Sequence, residues 1–134
     1  MAQAEAPFQL LYVSQLAPHC DFAVMTEVVA VARQRNAFLG LSGALLFDGE
    51  RFCQLLEGDE ATVRSMMSRI ERDPRHTAVR VLHAASATAD TVMRGWASGY
   101  CDAHDLDALD GAAAIGDAPP LDQFIAVLKR ADIV

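Results

Sequence analysis

The chain has 134 residues, enough for one domain with a substantial core. Hydrophobic residues make up 52% of it and charged residues 22%, which excludes a disordered acidic tail. The net charge of −7 argues against a protein that holds nucleic acid by neutralising phosphates, and against a basic peptide of the membrane surface. No apolar run reaches the roughly 20 residues that span a bilayer. Met1 to Pro7 lack the basic and apolar regions of a secretory signal. The three cysteines, Cys20, Cys53 and Cys101, are far apart and form no CxxC pair. They read as free thiols in a reducing cytoplasm, and no Cys/His spacing suggests a metal site.

Phe8 to Ser14 is rich in β-formers. A period of two puts Phe8, Leu10, Tyr12 and Ser14 on one face, with Leu11 and Val13 on the other, so this strand is covered on both sides. From Asp21, a plausible N-cap, to about Gln34 the period becomes helical through Val24, Val28, Val31 and Ala32, with fraying expected at Arg35 and Asn36. Gly40 opens a second strand, Leu41 to Phe47, and Asp48-Gly49 reads as a tight hairpin turn. The third strand, Arg51 to Leu56, sets Phe52, Gln54 and Leu56 against Cys53 and Leu55; Gln54 is an amide among apolar neighbours on a central strand.

Val63, Met66, Met67 and Ile70 make the core stripe of a second helix that Pro74 stops at or before Asp73. Ala78 to Ala84 reads as a fourth strand. A short link carries Val92, Met93 and Trp96, and Ser98 to Cys101 reads as a fifth strand. Asp102 to Asp110 reads as a solvated acidic connection. Leu121, Phe124, Ile125 and Leu128, after Pro119-Pro120, form an amphipathic terminal helix. The order β-α-β-β-α-β, with an extra strand and a C-terminal helical extension, predicts an α+β ferredoxin-like sandwich. Two helices cover one sheet face, and the terminal helix or another subunit covers the other.

No phosphate-cradling glycine loop, HExxH or GxSxG is present, and His19, His76, His83 and His104 do not cluster, which leaves an enzyme little support. What remains is a polar set facing the groove between the helices: Tyr12, Ser14, Asn36 and Gln54. A phenol and an amide can satisfy one another in a core, but a buried amide has four hydrogen-bonding positions that one tyrosine cannot fill. A planar polar ligand would complete the set. At the far end of the groove, Arg69, Asp73, Arg75 and His76 read either as charges answering the helix macrodipole or as a phosphate or ribose site.

Leu11-Tyr-Val-Ser14, Asn36-Ala-Phe-Leu-Gly-Leu-Ser-Gly-Ala-Leu-Leu46, Gly49-Glu-Arg-Phe-Cys-Gln-Leu-Leu-Glu-Gly58 and Arg69-Ile-Glu-Arg-Asp-Pro-Arg-His76 together closely resemble the BLUF domain, a blue-light sensor that binds FAD. The resemblance covers about residues 8 to 101. It implies an isoalloxazine ring between the two helices, touching Val28, Ala32, Leu45, Phe52 and Ile70. Asn36 would bond its pyrimidine edge, with Arg35 over that edge or turned to water. Gln54 would sit between Tyr12 and the ring, with Asp73, Arg75, His76 and Arg69 toward the ribityl and phosphate end. The photochemistry implied uses Tyr12 as electron donor to the excited flavin and Gln54 as proton relay. Its lasting product is a rotated or tautomerised glutamine and no covalent adduct.

One departure concerns output. The family's last-strand motif has a methionine two residues after tryptophan; here Trp96 is followed by Ser98. Ser98 could bond Gln54 and take over the coupling, while Trp96 reads as core or as a second electron donor. The expectation is a short photoreceptor: residues 1–101 as flavin domain, 102–134 as linker and capping helix, with no output enzyme. It would act on an unknown protein partner or through homo-oligomer assembly, without nucleic acid or membrane. The competing expectation is a flavin-free ferredoxin-like scaffold, which colour alone would distinguish.

Overall fold

A computed structural model describes residues 6–87, 95–115 and 119–133. The elements run β1 (Phe8–Leu16), α1 (Phe22–Phe38), β2 (Ser42–Phe47), β3 (Arg51–Gly58), α2 (Glu60–Arg72), β4 (His76–Ser86), β5 (Trp96–Tyr100), α3 (Ala103–Ile115), α4 (Pro120–Arg130) and β6 (Asp132–Ile133). The sheet order is β4-β1-β3-β2-β5-β6, with β5 parallel to β2 and the other neighbours antiparallel. Its first four strands have the ferredoxin-like arrangement. Val92 and Met93 of the expected link lie outside the described residues.

Asp21 starts α1 by accepting the backbone N–H groups of Ala23 and Val24 on its carboxylate. The helix runs past the fraying point expected at Arg35 and Asn36, and Gly40 is the reason. At φ +72°, Gly40 reverses the chain, its N–H donating to the Ala37 carbonyl at 3.2 Å while Leu41 N–H donates to the Asn36 carbonyl at 2.8 Å. This left-handed cap needs a residue without a Cβ penalty, so Gly40 closes the helix instead of opening a strand. Asn36 is thereby held inside a closed helical turn. In β2, Gly43 permits a close crossing: a Cβ there would stand 1.9 Å from the Leu55 carbonyl oxygen.

The α1–α2 face of the sheet has two apolar groups. Phe8, Leu10, Tyr12 and Leu56 pack under Val63, Met66, Met67 and Ile70 of α2, the stripe its periodicity predicts. Met25 and Val28 of α1 pack on Leu45, Phe47 and Phe52, with Trp96 and Tyr100 alongside. The opposite face buries Leu11, Ala44, Leu46, Cys53 and Leu55 against Leu106, Leu109, Leu121, Phe124 and Val127. That contact corrects the reading of Asp102 to Asp110 as a solvated connection. It belongs to α3, whose Leu106 and Leu109 are core, while Asp107, Asp110 and Asp105 pair with Arg51, Arg80 and Arg130. The fifth strand also begins at Trp96, two residues before the expected start.

Candidate functional site: the cleft between the two covering helices

Tyr12 and Gln54 are direct cross-strand partners on β1 and β3, and the Tyr12 hydroxyl donates to Gln54 Oε1. Both side chains are fully buried. Irregularities in the β1–β4 pairing lie on either side of Tyr12, between Leu11 and Tyr12 and between Val13 and Gln15. Burial pushes the Tyr12 phenol far above its usual range, so it stays protonated and can only be the donor to an amide oxygen. The other end of that amide, Gln54 Nε2, is buried with no hydrogen-bond partner.

A cleft opens above this pair, lined by Val28, Val31, Ala32 and Arg35 of α1, Leu45 of β2, Arg69 and Ile70 of α2, and Asp73, Arg75 and His76 beyond it. It is narrow, with about 20 Å³ of room for solvent inside about 390 Å³ of atom-free space that opens to the surface. Burial lowers the Arg35 guanidinium from its usual value, and its Nε has no partner.

Asn36, next along α1, is fully buried with both amide atoms unpartnered. Phe52 lies behind the wall, its ring tilted against Phe47 at 4.8 Å and against His76 at 5.0 Å between ring centres. His76 Nδ1 and Ser14 Oγ are 2.8 Å apart, and burial pushes the imidazole down to about 4, so His76 is neutral near pH 7. Asp73 holds Arg75 by two prongs, Nε to Oδ1 at 3.0 Å and Nη2 to Oδ2 at 2.7 Å. That pairing lowers the carboxyl and raises the guanidinium from their usual values.

These orphaned atoms fit a flavin. An amide NH2 at Gln54, a donor and an acceptor at Asn36, apolar walls from Val28, Ala32 and Ile70, and arginines at one end match a planar heterocycle with polar edges and an anionic tail. The predicted residues thus gather in one place, with Ser14, Asn36 and Phe52 behind the lining. Val31, which the sequence placed only in the helical period of α1, lines the cleft too.

Trp96 and Ser98, expected to serve output, lie apart from the cleft. Trp96 joins the apolar group under α1. Ser98 is aligned with Leu45, which is aligned with Gln54, so Leu45 stands between the serine and the amide and the direct bond considered above does not form. Instead Ser98 Oγ accepts from Arg33 Nη2 at 3.1 Å, a contact across 65 positions that no local pattern announces.

The chain is an α+β domain: a ferredoxin-like sheet with a buried phenol–amide pair beneath a polar-edged cleft suited to a small planar ligand. The family model described as "Sensors of blue-light using FAD" matches residues 8–98, and the chain belongs to that BLUF family. It is therefore a blue-light flavin photoreceptor domain of the kind that serves signal transduction. The blue light- and temperature-regulated antirepressor BluF of Escherichia coli is 39% identical over 67 residues, half of this chain but 17% of that protein. BlrP1 of Klebsiella pneumoniae, solved with FMN and cyclic diGMP, is 32% identical with TM-score 0.61, covering 72% of this chain and 25% of that one. The BLUF protein BlrB, in its dark state, matches 94% of each chain at 26% identity and TM-score 0.66. The chain thus spans less than a fifth of the BluF antirepressor. Among the described residues no helix is long and apolar enough to cross a membrane, and no cluster of His, Cys, Asp and Glu could hold a metal ion.

Proposed function

We propose that the chain binds FAD in the α1–α2 cleft and reports blue light by rearranging the Tyr12–Gln54 hydrogen bond. The observation that carries this reading is the Gln54 amide, which accepts from Tyr12 on Oε1 and presents a buried, unpartnered Nε2. Flavin, when bound, supplies absorption of blue light and an excited state that is a strong oxidant. Tyr12 is the side chain placed to give up an electron and its hydroxyl proton, with Gln54 Oε1 as the proton's first acceptor. Return of the electron and proton to Tyr12 would restore both partners and leave the amide rotated: Nε2 faces the phenol, and Gln54 is the donor to Tyr12 Oη. Asn36 holds one polar edge of the ring, Val28, Ala32, Leu45 and Ile70 exclude water from its faces, and Arg69, Arg75 and His76 serve the ribityl and phosphate end.

The chain is in this reading a sensor without an enzymatic step, cytoplasmic as its unpaired cysteines suit. Residues 1–101 carry the sensor and 102–134 the cap on the back of the sheet. The signal passes through Trp96 and Ser98 to a protein partner or to a change in homo-oligomer assembly. The test is the absorption spectrum of the purified protein in darkness and under blue light. A yellow protein whose band shifts slightly to the red and recovers in darkness is expected. A colourless protein, or a reversible bleach with no shifted band, overturns the reading.

A further inference from the structure

Tyr12, Gln54, Leu45 and Ser98 form one transverse row over four adjacent strands, each aligned with the next. Their side chains share the sheet face that α1 and α2 cover. At the end of the row, Ser98 is 1% exposed and its hydroxyl is gripped by Arg33, which reaches down from the exposed side of α1. A methionine at this position would offer only a weak thioether acceptor; the serine oxygen makes the grip possible.

We propose that Arg33 is a positioning residue for output: it ties β5 to α1 through Ser98, so that a change at Gln54 is delivered to α1. This rests on the photochemical reading of Tyr12 and Gln54 given above. Reorientation of the Gln54 amide changes what Leu45 packs against. Leu45 belongs with Val28 to one apolar group and is aligned with Ser98 on β5. Buried side chains pass on a displacement where few voids absorb it, and Leu45 and Ser98 are 2% and 1% exposed. The guanidinium–hydroxyl bond joins the moving strand to the helix that forms one wall of the cleft, so β5 and the C-terminal half of α1 respond as one body.

The test uses the full flavin-loaded chain and measures amide hydrogen exchange in α1 in darkness and under continuous blue light. Wild type is expected to show at least a twofold light–dark difference over residues 29–38. Ser98→Ala and Arg33→Gln lose that difference, and Arg33→Lys recovers a good part of it, while all keep the red-shifted band. In the flavin-loaded chain kept dark the two substitutions are non-additive in Tm, the double variant losing no more than the larger single loss. Survival of the α1 difference in Ser98→Ala and Arg33→Gln overturns the proposal, as does a red-shifting wild type with an unchanged α1. Absence of the red shift in wild type overturns the photochemical reading instead, and this inference falls with it.

Discussion

On the α3–α4 face of the sheet, Leu11, Leu46 and Leu55 are fully buried against Leu106, Leu109 and Phe124, and the charged rim is paired arginine to aspartate. On the α1–α2 face, amide and guanidinium atoms at Gln54, Asn36 and Arg35 are buried with no partner. Leaving a buried donor or acceptor unsatisfied costs about 1–3 kcal/mol. Among the described residues Gln54, Asn36, Arg35 and Trp96 carry such atoms on this face, and a ligand that partnered them would recover that cost. The comparison separates a face that holds the fold from a face that works.

The largest test of that division is Gln54→Leu. It removes the unpartnered donor and the acceptor of Tyr12 together, so the light-induced red shift disappears completely while the dark flavin band stays, as difference absorption spectra would read. Phe124→Ala tests the other face. Phe124 is fully buried, and truncation should cost about 3–5 kcal/mol in denaturant unfolding without altering the red shift of the molecules that remain folded. A lost red shift in that folded fraction would break the separation.

His76 sharpens the comparison through pH. Its folded-state value is about 4 against the usual 6.5, so between these the unfolded chain binds the proton and the folded one does not. Stability from the neutral imidazole is complete above about pH 6.5 and is lost as the pH falls toward 4, by on the order of 3 kcal/mol. Urea midpoints measured across that range should fall in wild type and flatten in His76→Asn. The smallest effect is expected at the rim. Arg51 and Asp107 are 2.8 Å apart, but Asp107 is 66% exposed, so Asp107→Ala should cost under about 1 kcal/mol and less still in high salt.

Much of the site was legible because strand periodicity is strict. Placing Tyr12 and Gln54 on the same face needs only the alternation of their own strands, and the ferredoxin-like order makes those strands neighbours. The α2 stripe was equally plain. The end of α1 was not, because Gly40 can open a strand or cap a helix, and only the bonds from Gly40 and Leu41 to the preceding carbonyls decide between them. Helix α3 was hidden by its own aspartates. Leu106 and Leu109 give two apolar points in an acidic run, and the arginines that answer Asp105, Asp107 and Asp110 come from β3, β4 and α4.

The amino-acid order alone determined the two-sided sheet, the helices over its front, and the phenol, amides and basic cluster that gather there, since each follows from local spacing and residue chemistry. Tertiary structure alone decided that the back is closed by α3 and α4, that Leu45 separates Ser98 from Gln54, and that Arg33 takes the serine. Those outcomes depend on contacts between distant segments, whose energies act only once the strands have taken their register.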